Sequence, residues 1–180
     1  MRVGVAVVDT GIFRHIDFGN RIVAFADFVN GKILPYDDSG HGTHVSGIIA
    51  GSGAASNKKY RGIAPQAAIV SVKVLDNMGN GKISDVLNGL KWIYQNRYLY
   101  NIRVVNISFG TTSGNDMRKE RELIDSVEKL WDAGIIVVAA AGNSGPDVNS
   151  ITVPGISKKI ITVGAFDDMA FSGENNMRYV

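Results

Sequence analysis

The sequence predicts an α/β fold: a three-layer, doubly wound, mostly parallel sheet with helices on both of its faces. Short apolar runs with little polar alternation are typical of strands buried on both sides of a parallel sheet. Segments with apolar residues at helical spacing lie between these runs, which indicates repeated strand–helix–strand units. The 180 residues show neither an internal repeat nor a linker, so we expect residues 1–180 to belong to one domain.

Five apolar runs predict strands, at residues 3–8, 68–75, 104–107, 135–141 and 160–163. Two stripes at helical spacing predict longer helices. The first covers residues 83–94, with Ser84 or Asp85 as its cap, and the second covers residues 123–131 and ends at Gly134. A shorter helix of small residues is expected at residues 41–50, where small side chains allow close packing.

Composition excludes several classes of function. The net charge of +2 gives no reason to expect nucleic acid or an anionic membrane as a partner. The absence of cysteine excludes a disulfide framework, a thiolate nucleophile and a cysteine metal site. No apolar stretch approaches the ~20 residues that a membrane-spanning helix needs.

The first motif that could carry chemistry lies at the end of the first apolar run. Asp9 stands there before Thr10 and Gly11. It is either a turn-forming residue or a functional carboxylate at the end of a strand, which is where open α/β sheets bind ligands.

The second motif holds two of the three histidines of the chain, His41 and His44, among glycines. A metal site is one interpretation, because the two side chains are three residues apart. The sequence has no H-E-x-x-H pattern and no evident third ligand. We therefore expect His41 to be a general base and His44 to be packed or to cap the helix.

The third motif, A-A-A-G-N-S-G, carries Asn143 after a run of small residues. This asparagine is either a turn residue or a side-chain donor to a developing oxyanion.

The three motifs together, in this order, resemble the signatures of the subtilisin-like serine proteases (subtilases), over nearly the whole chain. The stretches V-V-D-T-G-I, G-H-G-T-H-V-S-G-I-I-A-G and A-A-A-G-N-S-G carry the resemblance, with R-G-I-A-P, V-K-V-L and V-N-I-S-F-G between them. Residues 27–31 resemble the cysteine-poor bacterial branch that includes intracellular alkaline proteases. This implies a cytoplasmic location, and secretion after removal of a leader is the alternative.

The resemblance implies a role for each matching residue. Asp9 would be the acid of a catalytic triad, His41 its general base and then its general acid, and Asn143 the oxyanion donor. The substrate would be a polypeptide. Seven further residues would bind it, four as flanking strands and three in the pocket for the residue before the scissile bond: Gly81, Ser108, Phe109 and Gly110, and then Ala140, Ala141 and Gly142.

The nucleophile of the family lies in a G-T-S-M-A motif, and the 180 residues contain no such motif. Ser113, Ser144 and Ser172 lie in contexts that do not match it. We therefore expect a subtilisin-like domain truncated on its C-terminal side, which is inactive alone because no acyl-enzyme can form without the serine. Apolar faces left uncovered would favour self-association.

The chemistry requires no cofactor. Structural calcium is a property of many relatives, but the loop from Asn57 to Arg61 holds three cations and does not favour it. Asp37 and Asp38 form a more acidic spot, for which a solvated turn is the preferred interpretation.

Two other functions stay open at this point. A degenerate protease would bind peptides or regulate a partner without cleaving them. An aspartic-type protease would use Asp9-Thr10-Gly11, but it needs a second such carboxylate and a mostly β chain, and the helical stripes disfavour it.

Overall fold

Six parallel strands form the central sheet of the computed structural model, which describes residues 2–111, 116–145, 147–167 and 178–179. The strand order is β2-β3-β1-β4-β5-β6, and every neighbouring pair is parallel. The strands are β1 (Gly4–Asp9), β2 (Ile22–Asp27), β3 (Ala68–Lys73), β4 (Ile102–Ile107), β5 (Ile136–Ala140) and β6 (Ile161–Val163). Each of the five predicted apolar runs overlaps one of these strands, so those five predictions are confirmed.

Three α-helices cover the sheet from both sides: α1 (His41–Ala50), α2 (Ile83–Asn96) and α3 (Met117–Asp132). Successive residues of β1 point to opposite faces. Val5 and Val7 belong to a buried cluster that includes Ala50 of α1. Ala6 and Val8 belong to a larger cluster with apolar residues of α2 and α3. This arrangement of helix, sheet and helix is the predicted three-layer α/β architecture.

Sequence patterning missed three strands. β2 lies at the edge of the sheet and is only partly buried, and the continuous apolar run at residues 22–26 was a signal that could have predicted it. The other two, β7 (Phe166–Asp167) and β8 (Arg178–Tyr179), have two residues each and pair with each other in antiparallel fashion. Two residues are too few for any periodicity to be visible.

The sequence predicted the C-terminal end of α3 correctly and the N-cap of α2 incorrectly. The predicted cap of α2 is wrong: its N-cap is Lys82, and Ser84 and Asp85 lie inside the first turn. There the Asp85 carboxylate is near the positive end of the helix dipole. Gly134 ends α3 as predicted, with a left-handed φ of 80° and an N–H donated to Trp131 O at 2.9 Å.

Because all six strands are parallel, their carboxyl ends lie at one edge of the sheet. Asp9 at the end of β1 is in register with Lys73 at the end of β3. On its other side β1 pairs with β4, and β4 pairs with β5. The loops that follow β1, β3, β4 and β5 therefore leave the sheet side by side, at the edge where such sheets bind ligands.

Within the described ranges, no helix combines the length and apolar character that crossing a membrane requires.

Candidate active site

The carboxylate of Asp9 and the imidazole of His41 are in direct contact. Asp9 Oδ1 lies 2.7 Å from His41 Nδ1 and also accepts the backbone N–H of Thr10 at 2.7 Å. The Asp9 side chain is 1% exposed, whereas that of His41 is 50% exposed. A buried carboxylate on Nδ1 favours the tautomer with its proton there. Nε2 is then the nitrogen that can exchange a proton with another group.

Two glycines allow α1 to approach the loop after β1 closely enough for this contact. A Cβ on Gly42 would overlap the carbonyl oxygen of Gly11 and lie 3.1 Å from Asp9 Cβ. Gly11 has φ of 124°, and a Cβ there would overlap the carbonyl oxygen of Tyr36. Side chains at these positions would separate the helix that carries His41 from the strand that carries Asp9.

Asp37 anchors the first turn of α1. Its Oδ2 accepts the backbone N–H and the hydroxyl of Thr43 at 2.8 and 2.5 Å. Its Oδ1 accepts the N–H of Gly40 at 2.9 Å and the hydroxyl of Thr10 at 2.8 Å. Thr10 Oγ1 in turn accepts the N–H of Gly42 at 2.9 Å. Asp37 therefore links the residue after Asp9 to the helix that carries His41.

The pKa of Asp37 lies below its ordinary value. Burial alone raises the pKa, but the hydrogen bonds from Thr43, Gly40 and Thr10 favour the ionised form and together outweigh it. The expected solvated turn at Asp37 and Asp38 is thus wrong for Asp37, which is half-buried with donors on both oxygens.

His44 differs from expectation. We predicted a packed or capping histidine, but its side chain is exposed. The buried side of α1 consists of Gly42, Ser46 and Ala50, which recur every four residues, and position 44 lies on the other side. His44 lines an open surface groove of about 560 Å³ together with His15 and Tyr60. Among the described residues, no group of three His, Cys, Asp or Glu side chains could hold a metal ion.

The predicted substrate-binding segments follow β3, β4 and β5 at the same sheet edge. Gly81 lines a pocket of about 220 Å³ together with Phe109 and Gly110, so two of the segments share one cavity. Apolar side chains, among them Leu75 and Leu123, complete its wall. Ser108 accepts a hydrogen bond from Asn106 Nδ2 at 2.6 Å and is half-buried.

Thr152, which sequence analysis missed, joins the loops after β4 and β5. Its backbone N–H and its hydroxyl both donate to Ala141 O, at 2.9 and 3.2 Å. A Cβ on Gly110 or on Gly142 would overlap the Thr152 side chain. The two predicted segments thus pack against one buried residue, and their glycines make that packing possible.

The remaining predicted residues lie in or near the loop after β5. Ala140 ends that strand and is half-buried, as are Ala141 and Gly142, while Asn143 is exposed. Ser144 is exposed in the same loop. Ser113 and Ser172, the other serines considered above, lie outside the described residues.

A buried carboxylate on the Nδ1 of an exposed imidazole, at the loop edge of a parallel sheet, leaves Nε2 free to exchange a proton with another group. The chain belongs to the subtilase family, whose model matches residues 2–179.

Relatives and solved structures agree with this membership. Serine protease AprX of Bacillus subtilis (strain 168) is 49% identical over 174 residues, 92% of this chain and 38% of AprX. Subtilisin DY of Bacillus licheniformis is 38% identical over 168 residues, 92% of this chain and 57% of that protein. The chain therefore spans only 38 to 57% of the length of these two relatives.

Two solved structures are similar in fold and sequence. A cold-adapted subtilisin-like serine proteinase has a TM-score of 0.74 and 34% identity, covering 90% of this chain and 54% of its own. The S41 psychrophilic protease has a TM-score of 0.79 and 30% identity, covering 98% of this chain and 57% of its own.

Proposed function

We propose that the protein containing this chain is a serine endopeptidase that hydrolyses peptide bonds through an Asp/His/Ser triad. The observation that carries the proposal is the 2.7 Å contact between the buried Asp9 carboxylate and the half-exposed His41 imidazole. The proposal places the nucleophilic serine outside these 180 residues, which contain no G-T-S-M-A motif.

In this mechanism His41 moves the proton. Its Nε2 takes the proton of the serine hydroxyl during attack on the scissile carbonyl and later gives it to the leaving amine. Asp9 keeps the proton on Nδ1 and stabilises the imidazolium that forms between the two transfers. Burial of Asp9 favours this role, because a fixed charge acts more strongly in a low-dielectric environment than in water.

The loops after β3, β4 and β5 would bind the substrate. Gly81 and Gly110 are exposed and have no side chains, so their backbone groups are available to pair with an extended peptide. A side chain of that peptide would enter the pocket between them. Asn143, exposed in the loop after β5, would donate to the oxyanion, and loss of such a donor lowers kcat by about 10²–10³.

The test compares the full-length protein with the 180-residue chain on a fluorogenic peptide. The full-length protein should turn over, should be labelled by a fluorophosphonate, and should lose activity in a His41→Ala variant. The 180-residue chain should do none of these. Full-length protein that binds peptides without cleaving them would support a degenerate protease, and inhibition by pepstatin would support the aspartic alternative.

Location in the cytoplasm stays a prediction that rests on the resemblance of residues 27–31. One relative, 36% identical over 168 residues, is named the minor extracellular protease Epr of Bacillus subtilis (strain 168). Fractionation of the source cells, with the chain detected by an antibody, decides between the cell interior and the medium.

A further inference from the structure

A buried lysine lies beside the Asp9–His41 pair. Lys73 is the last residue of β3, in register with Asp9 on the neighbouring strand, and it is completely buried. Lysine is almost never fully buried unless its charge is paired. The burial of Lys73 therefore needs a physical explanation, and the proposed mechanism gives this residue no role.

The ammonium of Lys73 uses all of its hydrogen-bonding capacity. It donates to Thr10 O at 2.6 Å, to Asp38 Oδ1 at 2.7 Å and to Leu75 O at 2.8 Å. An ammonium group has three donors, so each acceptor matches one of them. The ring of Tyr36 lies 5.0 Å from Nζ and adds a cation–π contact.

The three acceptors lie on three segments of the candidate active site. Thr10 follows Asp9, Asp38 stands three residues before His41, and Leu75 is the second residue of the loop that leads from β3 to Gly81. One charged group thus fixes the spacing between the loop of the acid, the loop of the base and the first substrate-binding segment.

We propose that Lys73 is a positioning residue, whose ammonium holds the loops of Asp9 and His41 at the separation that their hydrogen bond requires. The inference rests on the proposed function, because it assigns Lys73 to the same acid–base pair. Lys73 acts through Thr10 and Asp38 and takes no part in proton transfer.

The geometry explains why another residue would not serve. A methionine would fill a similar volume but leave the carbonyls of Thr10 and Leu75 without this donor. Buried acceptors without partners destabilise a local arrangement, so the two loops would relax towards other contacts. A shift of about 1 Å at a catalytic group can lower the rate by about 10²-fold.

The experiment uses the full-length protein and compares Lys73→Met, Lys73→Arg and Asp38→Asn with wild type. The matched control is Lys91→Met, which removes an exposed lysine from α2. We expect Lys73→Met to lower kcat by about 10- to 100-fold with little change in KM, as for an interaction that matters in the transition state. Asp38→Asn should lower kcat less, because the two carbonyls keep the ammonium in place, and Lys91→Met should leave both constants unchanged.

A purely structural role would lower the amount of folded enzyme without changing kcat per active site. Active sites are therefore counted with a fluorophosphonate, and circular dichroism checks the fold. Wild-type kcat in Lys73→Met, or a rise in KM alone, would overturn the inference. If Lys73→Met does not fold, unchanged kcat in both Lys73→Arg and Asp38→Asn overturns it. An inactive, unlabelled wild type would instead reject the proposed function.

Discussion

Among single residues, Asp9 has the most direct consequence for chemistry. In the full-length protein we expect Asp9→Asn to lower kcat on the order of 10⁴-fold, because an amide that donates to Nδ1 selects the wrong imidazole tautomer. The fold should persist, since asparagine has nearly the same shape. Steady-state kinetics and circular dichroism measure the two effects, and Asp125→Asn, an exposed position on α3, is the control. Turnover near the wild-type rate in Asp9→Asn would contradict the assignment.

Contact between Gly110 and Thr152 makes a second prediction at this level. Because a Cβ on Gly110 would overlap Thr152 Oγ1, Gly110→Ala should lower the free energy of unfolding by about 1–3 kcal/mol, as overpacking does. Thr152→Gly removes the overlapping atoms, so the double variant should be more stable than the sum of the single effects predicts. Urea denaturation of the four proteins gives the coupling. Strict additivity would show that the two residues do not interact.

Turning to the elements, α1 offers a matched pair of glycines. Gly42→Ala should displace the helix from β1, since its Cβ would overlap Gly11 O, and should lower both kcat and the free energy of unfolding. Gly47 lies in the same helix with nothing within 4 Å of an added Cβ. Gly47→Ala should therefore stabilise the protein by roughly 0.5–1 kcal/mol. Equal effects of the two substitutions on kcat would argue against close packing as the device that joins His41 to Asp9.

The beginning of α1 also predicts a pH dependence. The pKa of Asp37 is lower in the folded chain than its ordinary value. Burial raises this pKa, but the hydrogen bonds from Thr43, Gly40 and Thr10 lower it by a larger amount. The unfolded chain therefore binds this proton at a higher pH than the folded chain does. The stability that Asp37 contributes is present above about pH 4, its unfolded pKa, and is lost as the pH falls through the lower folded value.

Comparison with Asp37→Asn tests that pH dependence. The substitution should destabilise the protein by about 1–3 kcal/mol at pH 7, because an amide cannot accept from all of these donors. The difference in the free energy of unfolding between wild type and Asp37→Asn should become smaller as the pH falls from 5 to 3. Urea denaturation at each pH measures it, and a gap that does not depend on pH would mean that Asp37 is not the group that titrates.

Across the whole chain, local apolar patterns predicted helices and strands, but they did not predict which polar residues pair over long distances in the sequence. Buried strands such as β1 and β3 reveal themselves as apolar runs, and Asp9 and His41 stand in recognisable motifs. Lys73 in V-K-V-L gives no local sign of which groups would pair with its charge, because its partner Thr10 is 63 residues away. Asp37 likewise depends on Thr10, 27 residues away. Such contacts exist only once the sheet order is fixed, and periodicity carries no information about that order.

Within the described residues, the part of one sheet face that β5 and β6 form is left uncovered. On β5, Val137 and Ala139 are buried beneath α3, whereas Ile136, which points to the opposite face, is 46% exposed. On the neighbouring β6, Ile161 and Val163 are 45% and 53% exposed. Parallel sheets normally bury both faces, so this apolar surface favours contact with another protein surface.

The 180-residue chain should therefore self-associate through β5 and β6. Sedimentation velocity over a range of concentrations should show dimers or larger species. An Ile136→Lys/Val163→Lys variant should shift the chain towards the monomer, because burying two charges in an apolar contact is unfavourable. Ile33→Lys places the same charge at a position that is 87% exposed and away from that face, so it should leave association unchanged. A chain that stays monomeric at every concentration, or that responds equally to both variants, would show that this face of the sheet does not drive self-association.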